Sequence, residues 1–424
     1  MTYPDSVKFL YSLGNEIKSV KLGLEPVREL LRELGNPQDR LRIVHAAGTN
    51  GKGSTCAMIE AGLRAAGYRT GLYTSPHLIE PTERIQIDGI AVSADEFRQA
   101  FENVHVAAGR LEASGVIEHH PTYFETVTAI AFVLFDEKKV DVLVCETGLG
   151  GRLDATNVVH PELCVITAID FDHEQYLGNT IEKIASEKAG IIKPGVPIVC
   201  ARQREDARAV IENQARLVGA KFIDTGEWQI RDLKLTPRGC RYEATGNPNL
   251  LVECPLPGEH QVDNSLAAAV ALAQLGVGPA GIKRTQWPGR LELLSKNPEI
   301  VADGAHNPAG ARALAAYIDR FYAGRPVWMI YGTMRDKAIE EIAGVLFPRA
   351  AHILVTAPET QRALRPESMR EAFPDQQIEV ADDLVEALAI AKRELPPDGV
   401  IFITGSLYLV GEARRLLAPR HTGE

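Results

Sequence analysis

Residues 41–54 read Leu-Arg-Ile-Val-His-Ala-Ala-Gly-Thr-Asn-Gly-Lys-Gly-Ser, an apolar run that leads into a glycine-rich turn. Helical spacing follows, which completes a strand, a turn and a helix start. This arrangement directs backbone N–H groups and a helix dipole toward a phosphate. Lys52 can reach the outer phosphates of a nucleotide, and the Ser54 hydroxyl suits Mg²⁺. The stretch predicts an ATP site that uses Thr49, Asn50, Gly51, Lys52, Gly53 and Ser54.

This turn departs from the usual P-loop pattern at two positions. Ala46 stands where the pattern has its first glycine, and Gly53 separates Lys52 from Ser54. A glycine-rich strand-to-helix turn that binds no ligand is therefore an alternative at this point, because short motifs also match by chance.

The composition is that of a globular protein large enough for two domains, each with its own core. Of the 424 residues, 45% are hydrophobic and 24% are charged, and the formal net charge is -10. This acidic balance argues against a protein whose main task is to bind nucleic acid. It leaves room for local basic patches around an anionic substrate.

The cysteines show no CxxC spacing, and most of them lie in apolar runs. This pattern predicts buried free thiols rather than disulfides or a zinc site. The six are Cys56, Cys145, Cys164, Cys200, Cys240 and Cys254. The sequence has no basic N-terminal segment followed by an apolar one, and no apolar run of about 20 residues. We therefore expect a cytoplasmic protein with no membrane partner.

Short apolar runs alternate with segments of helical spacing through the first part of the chain. The strand-like runs are residues 41–47, 70–74, 140–146, 164–169 and 197–201. The helical segments between them are residues 54–66, 94–113, 124–137 and 180–190. This alternation predicts an α/β fold with an N-terminal P-loop ATPase-type sheet, mostly parallel, that carries helices on both faces.

The later segments predict a second, smaller domain. Residues 228–253 read as antiparallel hairpins, and residues 264–274 read as an alanine-rich helix. Turn residues cluster in 283–298, and a new alternation follows. It has strands at 300–303, 326–331, 352–356, 378–380 and 400–404, and helices at 308–322, 338–346, 384–394 and 407–418. We predict an ATP-binding domain over 1–287, a linker over 288–298 and a C-terminal Rossmann-like α/β domain over 299–424.

An acidic residue, Glu146, ends the apolar strand at 142–146. In phosphate-binding α/β folds a carboxylate at a strand end next to the phosphate loop commonly holds Mg²⁺. Capping of the following turn is the alternative for Glu146. The glycine-rich stretch 148–157 that follows is typical of a ligand-contacting loop, with a plain linker as its alternative.

Two further candidates follow later strands. His173 comes after Asp170-Phe171-Asp172, and its imidazole can bind a divalent ion, although Mg²⁺ prefers oxygen. A capping or structural role is the alternative for this histidine. Lys188 lies in a helix expected to return toward the same edge of the sheet, with a solvated surface lysine as its alternative.

Polar groups in the rest of the chain are individually modest signals. Asp263 fits an ordinary N-cap at the start of the alanine-rich helix. Arg290 follows a Pro-Gly pair and carries a planar fork of donors that suits a phosphate. The polar run 303–308 ends a predicted strand of the second domain.

Taken together, these elements resemble the folylpolyglutamate synthase/dihydrofolate synthase branch of the Mur ligase superfamily, over essentially the whole chain and in the same order. The glycine between Lys52 and Ser54 is typical of this branch, as is the Ser-Pro-His-Leu element at 75–78. The other matching elements are residues 48–54, 122–125, 146–157, Asp172-His173, Leu177-Gly178, 187–190, 256–260, Asn264, Pro288-Gly289-Arg290, 303–308 and 405–408.

The resemblance implies an ATP-dependent ligase. Members of this family phosphorylate the terminal carboxylate of a pteroate or folate. The α-amine of L-glutamate then attacks the acyl phosphate, which gives an amide, ADP and phosphate. Because two anions must be brought together, cations have to neutralise the transferred phosphoryl group. The implied cofactors are ATP and two Mg²⁺ ions, with K⁺ as a further candidate.

The resemblance also assigns roles to individual residues. The implied catalytic residues are Lys52, His173 and Lys188, the last as a carbamylated lysine, and the implied metal ligands are Ser54, Glu146 and His173. Nucleotide contacts beyond the P-loop fall on Asn264, Arg290, Asp303 and His306. Pterin or folate contacts fall on Thr122, Phe124, Asp154 and Ala155, and glutamate contacts fall on Ser75, His306 and Ser406.

Two other functions share part of this pattern. A peptidoglycan-type Mur ligase has the same fold and chemistry but usually adds an N-terminal nucleotide-sugar domain, for which we expect no room before Gly48. A non-catalytic ATP-binding module is disfavoured by the joint presence of Lys52, Glu146, His173 and Lys188. We expect a monomer whose partners are ATP, L-glutamate and dihydropteroate or folate, with no nucleic acid.

Overall fold

The structure is a computed structural model that describes residues 1–14, 23–335 and 337–417. Contacts within the chain divide it into two compact units. The first unit comprises Met1–Leu233, Tyr242–Glu253 and Asp263–Thr285, and the second comprises Lys234–Arg241, Cys254–Val262 and Gln286–Glu424. The main division thus falls after Thr285, and two short earlier segments belong to the second unit.

An eight-stranded sheet forms the centre of the first unit, in the order β4-β3-β2-β5-β1-β6-β7-β8. Its strands are β1 (Ile43–Ala47), β2 (Thr70–Tyr73), β3 (Ile85–Ile87), β4 (Ile90–Ala91), β5 (Val142–Glu146), β6 (Leu163–Ile166), β7 (Ile198–Cys200) and β8 (Phe222–Asp224). The six strands from β2 to β8 are parallel, and β3 and β4 pair antiparallel at one edge. The predicted mostly parallel sheet is confirmed.

The helices of this part of the chain are α1 (Tyr3–Ser12), α2 (Glu25–Glu33), α3 (Lys52–Ala65), α4 (Ala94–Ala113), α5 (Tyr123–Glu137), α6 (Glu174–Leu177), α7 (Ile181–Ala189) and α8 (Glu205–Leu217). α4 has the predicted bounds. Ser93 and Glu96 form a capping box that stabilises its N-terminus. Side chains of α1, α2, α4 and α5 share one buried cluster, and those of α7 and α8 share another. α1, α2, α6 and α8 are additional to the predicted helices.

The segment predicted as hairpins forms a separate three-stranded sheet. Its strands are β9 (Gln229–Thr236), β10 (Gly239–Thr245) and β11 (Leu250–Cys254), in the order β11-β10-β9. Consecutive strands are neighbours, as hairpin connections require. Helix α9 (His260–Gln274) follows and begins four residues before the predicted start.

The second unit contains a six-stranded sheet in the order β12-β13-β17-β14-β15-β16. Its elements are β12 (Glu292–Lys296), β13 (Glu299–Ala302), α10 (Pro308–Phe321), β14 (Val327–Tyr331), α11 (Ile339–Leu346), β15 (His352–Val355), α12 (Pro366–Ala372), β16 (Ile378–Val380), α13 (Leu384–Glu394), β17 (Val400–Thr404) and α14 (Leu407–Leu417). Residue 418, the predicted end of the last helix, lies outside the described residues, as does the rest of the predicted domain's end.

The predicted linker at 288–298 is wrong. Its central residues form β12, which pairs antiparallel with β13 at the edge of the second sheet, whereas the other strands of this sheet are parallel. Turn residues at 287–290 and at 297–298 delimit this strand. The sequence of residues 288–298 predicts a linker because an edge strand between two turns carries little continuous apolar pattern.

All six cysteines are free and buried, which confirms the prediction made from their spacing. None of the helices in residues 1–14, 23–335 and 337–417 combines the length and apolar character needed to cross a membrane.

Helix α3 packs so closely on α9 that a methyl group will not fit between them. A Cβ atom on Gly62 would lie 2.3 Å from Leu272 Cδ1, and Leu272 is fully buried. We expect Gly62→Ala to lower the free energy of unfolding by about 1–3 kcal/mol through overpacking. Gly109→Ala, in open space at an exposed position of α4, should raise it by about 0.5–1 kcal/mol through helix propensity. Thermal or denaturant unfolding measures both, and equal shifts would contradict the close packing.

Candidate functional site

The carboxyl ends of the central strands meet at one edge of the first sheet. β1 pairs with β5 at Ala46–Glu146 and with β6 at Ala47–Ile166, so the segments after these three strands leave the sheet side by side. Thr167 N donates to Ala47 O at 2.9 Å, which extends the pairing past β6. In parallel α/β sheets this edge is where ligands bind.

The glycine-rich loop follows β1 at this edge, and its shape requires glycine at two positions. Gly48 has φ 151° and Gly51 has φ 84°. A Cβ atom on Gly48 would lie 1.9 Å from the Thr167 hydroxyl oxygen, and one on Gly51 would lie 2.1 Å from Asn264 Oδ1. The loop backbone therefore runs directly against its neighbours, and the predicted nucleotide residue Asn264 borders it.

Helix α3 starts at this loop, with Gly51 as its N-cap and Lys52 as its first residue. The sequence pattern predicts a helix start at residue 54. In the structure the helix begins two residues earlier, so Lys52, Gly53 and Ser54 lie in its first turn. The first N–H groups of a helix have no acceptor within the helix. The positive end of α3 is therefore at the sheet edge, as an anion site requires.

Hydrogen bonds join the loop to the segment after β6. Thr49 N and Asn50 N both donate to Ala168 O, at 2.9 and 3.1 Å. The Thr49 hydroxyl donates to Asp170 O (3.0 Å) and accepts from Asp170 N (3.2 Å). Sequence reasoning missed Ala168, because a backbone carbonyl leaves no residue-type signal.

Glu146 is buried at the end of β5 and lies close to the loop lysine. Lys52 Nζ is 3.9 Å from Glu146 Oε1 and donates to Thr49 O at 3.3 Å. Ser75 N donates to the other oxygen, Glu146 Oε2, at 3.2 Å. Lys52 and Ser75 both lie outside the turn after β5, which Glu146 would bond if it capped that turn. Ser75, predicted as a glutamate contact, thus lies against the predicted metal ligand.

Lys188, on α7, is buried, so the alternative of a solvated surface lysine is wrong. Its Nζ donates to Gly48 O at 2.8 Å. Burial lowers the pKa of Lys188 to about 7, with the positive charge of Lys52 acting in the same direction and Asp172 and Asp154 opposing. A large share of this amine is therefore uncharged at neutral pH.

His173 occupies the N-cap position of α6 with φ 53°, and its side chain makes no capping hydrogen bond. Its backbone N donates to Asp172 Oδ1 at 2.9 Å, and its Nε2 lies 3.8 Å from the same oxygen. Asp172 contributes to the electrostatic field at Lys188. The Asp172 carboxylate, which bonds the backbone of His173, therefore lies near enough to Lys188 to act on its charge.

Oxygen donors at this edge suit the predicted Mg²⁺. Ser54 and Glu146 supply a hydroxyl and a carboxylate, and Ser75 N holds the carboxylate in place. Mg²⁺ in nucleotide sites takes one or two carboxylates and completes its shell with phosphates and water. Across the described ranges, no group of three or more His, Cys, Asp or Glu side chains could hold a metal ion. A hydroxyl and a carboxylate are oxygen donors of the kind that Mg²⁺ takes from a protein.

Two of the predicted pterin residues lie at the start of α5. Thr122 is its N-cap and forms a capping box with Glu125. The Phe124 ring packs on Gly148, where an added Cβ atom would come within 2.4 Å of the ring. An aromatic face therefore borders the glycine-rich loop that follows β5.

The other two, Asp154 and Ala155, lie at the end of that loop. The Asp154 carboxylate is buried and accepts from Leu149 N (2.8 Å), Thr156 N (3.0 Å) and the Thr156 hydroxyl (2.5 Å). Burial raises the pKa of Asp154, and the hydrogen bonds from Thr156 and Leu149 oppose that rise. Both carboxylate oxygens thus already shape the loop itself.

The predicted residues of the second unit cluster after β13. Asp303 is buried and accepts from Leu291 N (2.9 Å) and Ala305 N (3.0 Å). Burial raises the pKa of Asp303, and the charge of Arg290 lowers it in part. Arg290 Nη1 donates to Gly289 O at 3.0 Å. A guanidinium and a carboxyl group therefore lie close together here.

Two more predicted residues flank this cluster in the second unit. His306 Nδ1 donates to Gly304 O at 2.7 Å, which leaves Nε2 as the acceptor nitrogen of the neutral ring. Ser406 is buried, and its hydroxyl oxygen accepts from Tyr408 N at 3.0 Å at the start of α14.

A chain of hydrogen-bonded side chains, which sequence reasoning missed, lies in the segment after β2. Arg84 Nε donates to His77 Nδ1 at 2.7 Å, so His77 Nε2 carries the proton and donates to Tyr11 Oη at 3.1 Å. Burial and the charge of Arg84 lower the pKa of His77 well below its usual range. Tyr11 also stacks on Tyr123 with ring centroids 5.6 Å apart. The partners are far apart in sequence, and only the fold joins them.

Comparison with known proteins gives a consistent picture over both units. The Mur ligase middle domain matches residues 46–272, and the Mur ligase glutamate ligase domain matches residues 289–407. A dihydrofolate synthase/folylpolyglutamate synthase of Bacillus subtilis (strain 168) is 36% identical over 413 residues, which is 94% of this chain and 95% of that protein.

Solved structures agree with this match. Mycobacterium tuberculosis folylpolyglutamate synthase complexed with ADP has a TM-score of 0.91 and 30% identity, covering 98% of each chain. E. coli FolC in complex with DHPP and ADP has a TM-score of 0.87 and 29% identity, covering 98% of this chain and 97% of that one.

Gly51→Ala tests the shape of the loop. The φ of 84° and the contact with Asn264 both exclude a side chain, so we expect ADP affinity in the presence of Mg²⁺ to fall at least about tenfold. Gly67→Ala is the matched control, since Gly67 has φ 95° but nothing within 4 Å of its added Cβ. Titration calorimetry with ADP measures both variants. Equal ADP affinity in the two would contradict the close approach.

Proposed function

The chain belongs to the folylpolyglutamate synthase/dihydrofolate synthase family of Mur ligases, and we propose that its sheet-edge site carries out ATP-dependent glutamate ligation. The protein is an ATP-dependent ligase that adds L-glutamate to a carboxylate through an acyl phosphate, with release of ADP and phosphate. The acceptor is the carboxylate of dihydropteroate, the γ-carboxylate of a tetrahydrofolate, or both.

One observation carries this proposal most directly: the glycine-rich loop, Glu146 and Lys188 meet at one sheet edge. Lys52 Nζ is 3.9 Å from Glu146 Oε1, and Lys188 Nζ donates to the loop carbonyl of Gly48. Titratable groups with strongly shifted pKa values cluster at functional sites, and burial lowers the pKa of Lys188 to about 7.

Charge neutralisation is the first task of these residues. The γ-phosphate of ATP and the acceptor carboxylate are both anions, so their approach requires positive charge on the transferred group. Lys52 and the first turn of α3 supply part of it. Ser54, Glu146 and His173 would hold two Mg²⁺ ions, which add Lewis-acid stabilisation when bound. K⁺ is a further proposed cation.

The second unit is proposed to serve the nucleotide and the incoming glutamate. Arg290 and Asp303 would contact the nucleotide, and His306 would contact both substrates. The acceptor nitrogen of His306 suits an ammonium or amine donor, and Ser406 offers a hydroxyl to a carboxylate. Ser75 completes the proposed glutamate contacts.

The acceptor ring is proposed to lie beside the contact that α5 makes with the loop after β5. Phe124 already packs on Gly148, and an aromatic ring at this place supports stacking of a flat pterin, with Thr122, Asp154 and Ala155 beside it. The enzyme is proposed to act as a cytoplasmic monomer on small molecules, without a nucleic-acid or membrane partner.

The direct test is product formation. Purified protein with ATP, Mg²⁺ and L-glutamate is offered dihydropteroate and tetrahydrofolate separately, and products are identified by mass. We expect addition of one glutamate residue to at least one acceptor, with one ADP released per bond. ATP hydrolysis that requires neither acceptor nor glutamate would contradict the proposal.

Lys52→Ala should abolish product formation while the protein stays folded, because its ammonium neutralises phosphate charge and packs no core. Lys183→Ala, an exposed lysine on α7, is the control and should keep wild-type turnover. Steady-state product assays and circular dichroism compare them. Retention of more than about a tenth of wild-type turnover, a barrier change below about 1.4 kcal/mol, would rule out the role of Lys52.

The metal assignment predicts two different defects. Glu146→Gln keeps the size of the side chain and removes its charge, so the Mg²⁺ concentration for half-maximal activity should rise steeply. His173→Ala should impair phosphoryl transfer more than ATP binding. Mg²⁺ titrations of activity and of nucleotide affinity separate the two. Curves that overlay wild type for both variants would show that neither residue serves the metal.

Lys188 is proposed to be carbamylated, because a lysine whose pKa is lowered to about 7 offers the neutral amine that reacts with CO₂. The carbamate forms from the neutral amine and CO₂, so activity should depend on dissolved CO₂. The neutral fraction available for this reaction grows as pH rises through about 7. Lys188→Ala should be nearly inactive, Lys183→Ala should not be, and acetate should partly restore Lys188→Ala. A bare Lys188 amine at high resolution, with nucleotide and metal bound at neutral or higher pH, would count decisively against the carbamate.

A further inference from the structure

The segment between β6 and α6 supports the phosphate loop from one side. Its Ala168 carbonyl accepts from both Thr49 N and Asn50 N, and its Asp170 backbone bonds the Thr49 hydroxyl. The conformation of the loop therefore depends on where this segment holds Ala168. The residue that fixes the other side of the segment thus matters for nucleotide binding.

That residue is Gln203, in the turn between β7 and α8. Gln203 Nε2 donates to Thr167 O at 2.7 Å, and Gln203 Oε1 accepts from Ile169 N at 3.0 Å. The two bonds flank Ala168 on both sides. A single half-buried side chain thus fixes the backbone immediately before and after the carbonyl that bonds the phosphate loop.

The Gln203 amide continues the β6–β7 ladder after the strand itself has ended. The last backbone bond of this pair runs from Ala201 N to Ile166 O at 2.8 Å. The chain then turns into α8, so its backbone no longer reaches the segment after β6. A primary amide carries one donor and one acceptor group, as a backbone unit does, and supplies the next pair of bonds.

The neighbours of Gln203 have other partners. Arg202 Nη1 lies 3.4 Å from Asp263 Oδ1, and Arg204 Nη2 lies 2.9 Å from Asp206 Oδ2. Both arginines are exposed, whereas Gln203 is half-buried and turned to β6. The amide is therefore the group in this turn that bonds the segment beside the phosphate loop.

We propose that Gln203 is a positioning residue for nucleotide binding, which acts through the Thr167–Ile169 backbone and the Ala168 carbonyl on the phosphate loop. This inference rests on the proposed function, because it takes the loop to be the site of the ATP phosphates. The same segment continues to Asp172 and His173, so Gln203 also sets the start of the stretch that leads to the proposed metal ligand.

The test compares Gln203→Leu with Gln86→Leu. Leucine removes both bonds of Gln203 at similar volume, and we expect the dissociation constant for ADP with Mg²⁺ to rise about tenfold. Gln86, also half-buried, makes one side-chain bond, to Glu83 O at 3.3 Å on the other side of the sheet, and its variant should bind ADP like wild type. Calorimetry measures the affinities.

Amide hydrogen exchange tests the route of the effect. Peptides that cover residues 46–52 of ligand-free protein should exchange faster in Gln203→Leu than in wild type or Gln86→Leu, because the bonds from Thr49 N and Asn50 N loosen. A merely structural role would lower thermal stability without this local change. If Gln203→Leu does not fold, Gln203→Glu keeps the acceptor for Ile169 N, loses the donor to Thr167 O and is measured in the same way.

The outcomes separate two failures. Wild-type protein that does not bind ADP would overturn the proposed function. Wild-type protein that binds ADP while Gln203→Leu binds it equally well, or loses affinity without faster exchange at 46–52, would overturn the positioning role. Equal losses in Gln203→Leu and Gln86→Leu would overturn it as well.

Discussion

The close approach of the backbone at Gly48 and Gly51 to its neighbours is the constraint on which the rest of the site depends. The Thr167 hydroxyl and the Asn264 side chain occupy the space that side chains at these positions would need. The loop therefore turns directly from β1 into α3, and Lys52 becomes the first residue of the helix. One turn thus supplies the helix N-terminus and the lysine at the same place.

The electrostatics of the site follow from burial around this turn. Lys188 and Glu146 are both buried, and Lys52 lies within 3.9 Å of the carboxylate while its charge also acts on Lys188. Such charges lose most of their hydration, so their mutual interactions are stronger than in water. An anionic ligand near the Lys52 ammonium would interact with it more strongly than in water, which gives nucleotide binding an electrostatic driving force from the fold itself.

The sequence predicted the parts of this arrangement that depend on local pattern. Central parallel strands such as β5 are continuous apolar runs, and the glycine-rich turn after β1 has few alternatives. The edge strands β3, β4 and β12 escaped prediction or were read as a linker, because short edge strands carry mixed patterns. Burial of Lys188 could not be predicted either, since it depends on how α7 is rotated against the sheet. The contacts of Ala168 and Gln203 join segments that are far apart in the sequence. They use a backbone carbonyl and a side-chain amide, and neither group indicates its partner in the sequence.

Burial of Lys188 opposes folding as long as the amine is charged. A pKa lowered from 10.5 to about 7 corresponds to about 5 kcal/mol against the ammonium in the folded state. The unfolded chain binds this proton more tightly, so the cost is full below about pH 7 and fades as pH rises toward 10.5. Folding thus favours the uncharged amine. The proposed carbamate converts that amine to an anion, which Asp172 and Asp154 disfavour and nearby cations favour. Carbamylation and cation binding at this edge must therefore strengthen each other, since a coupling free energy between two sites is reciprocal.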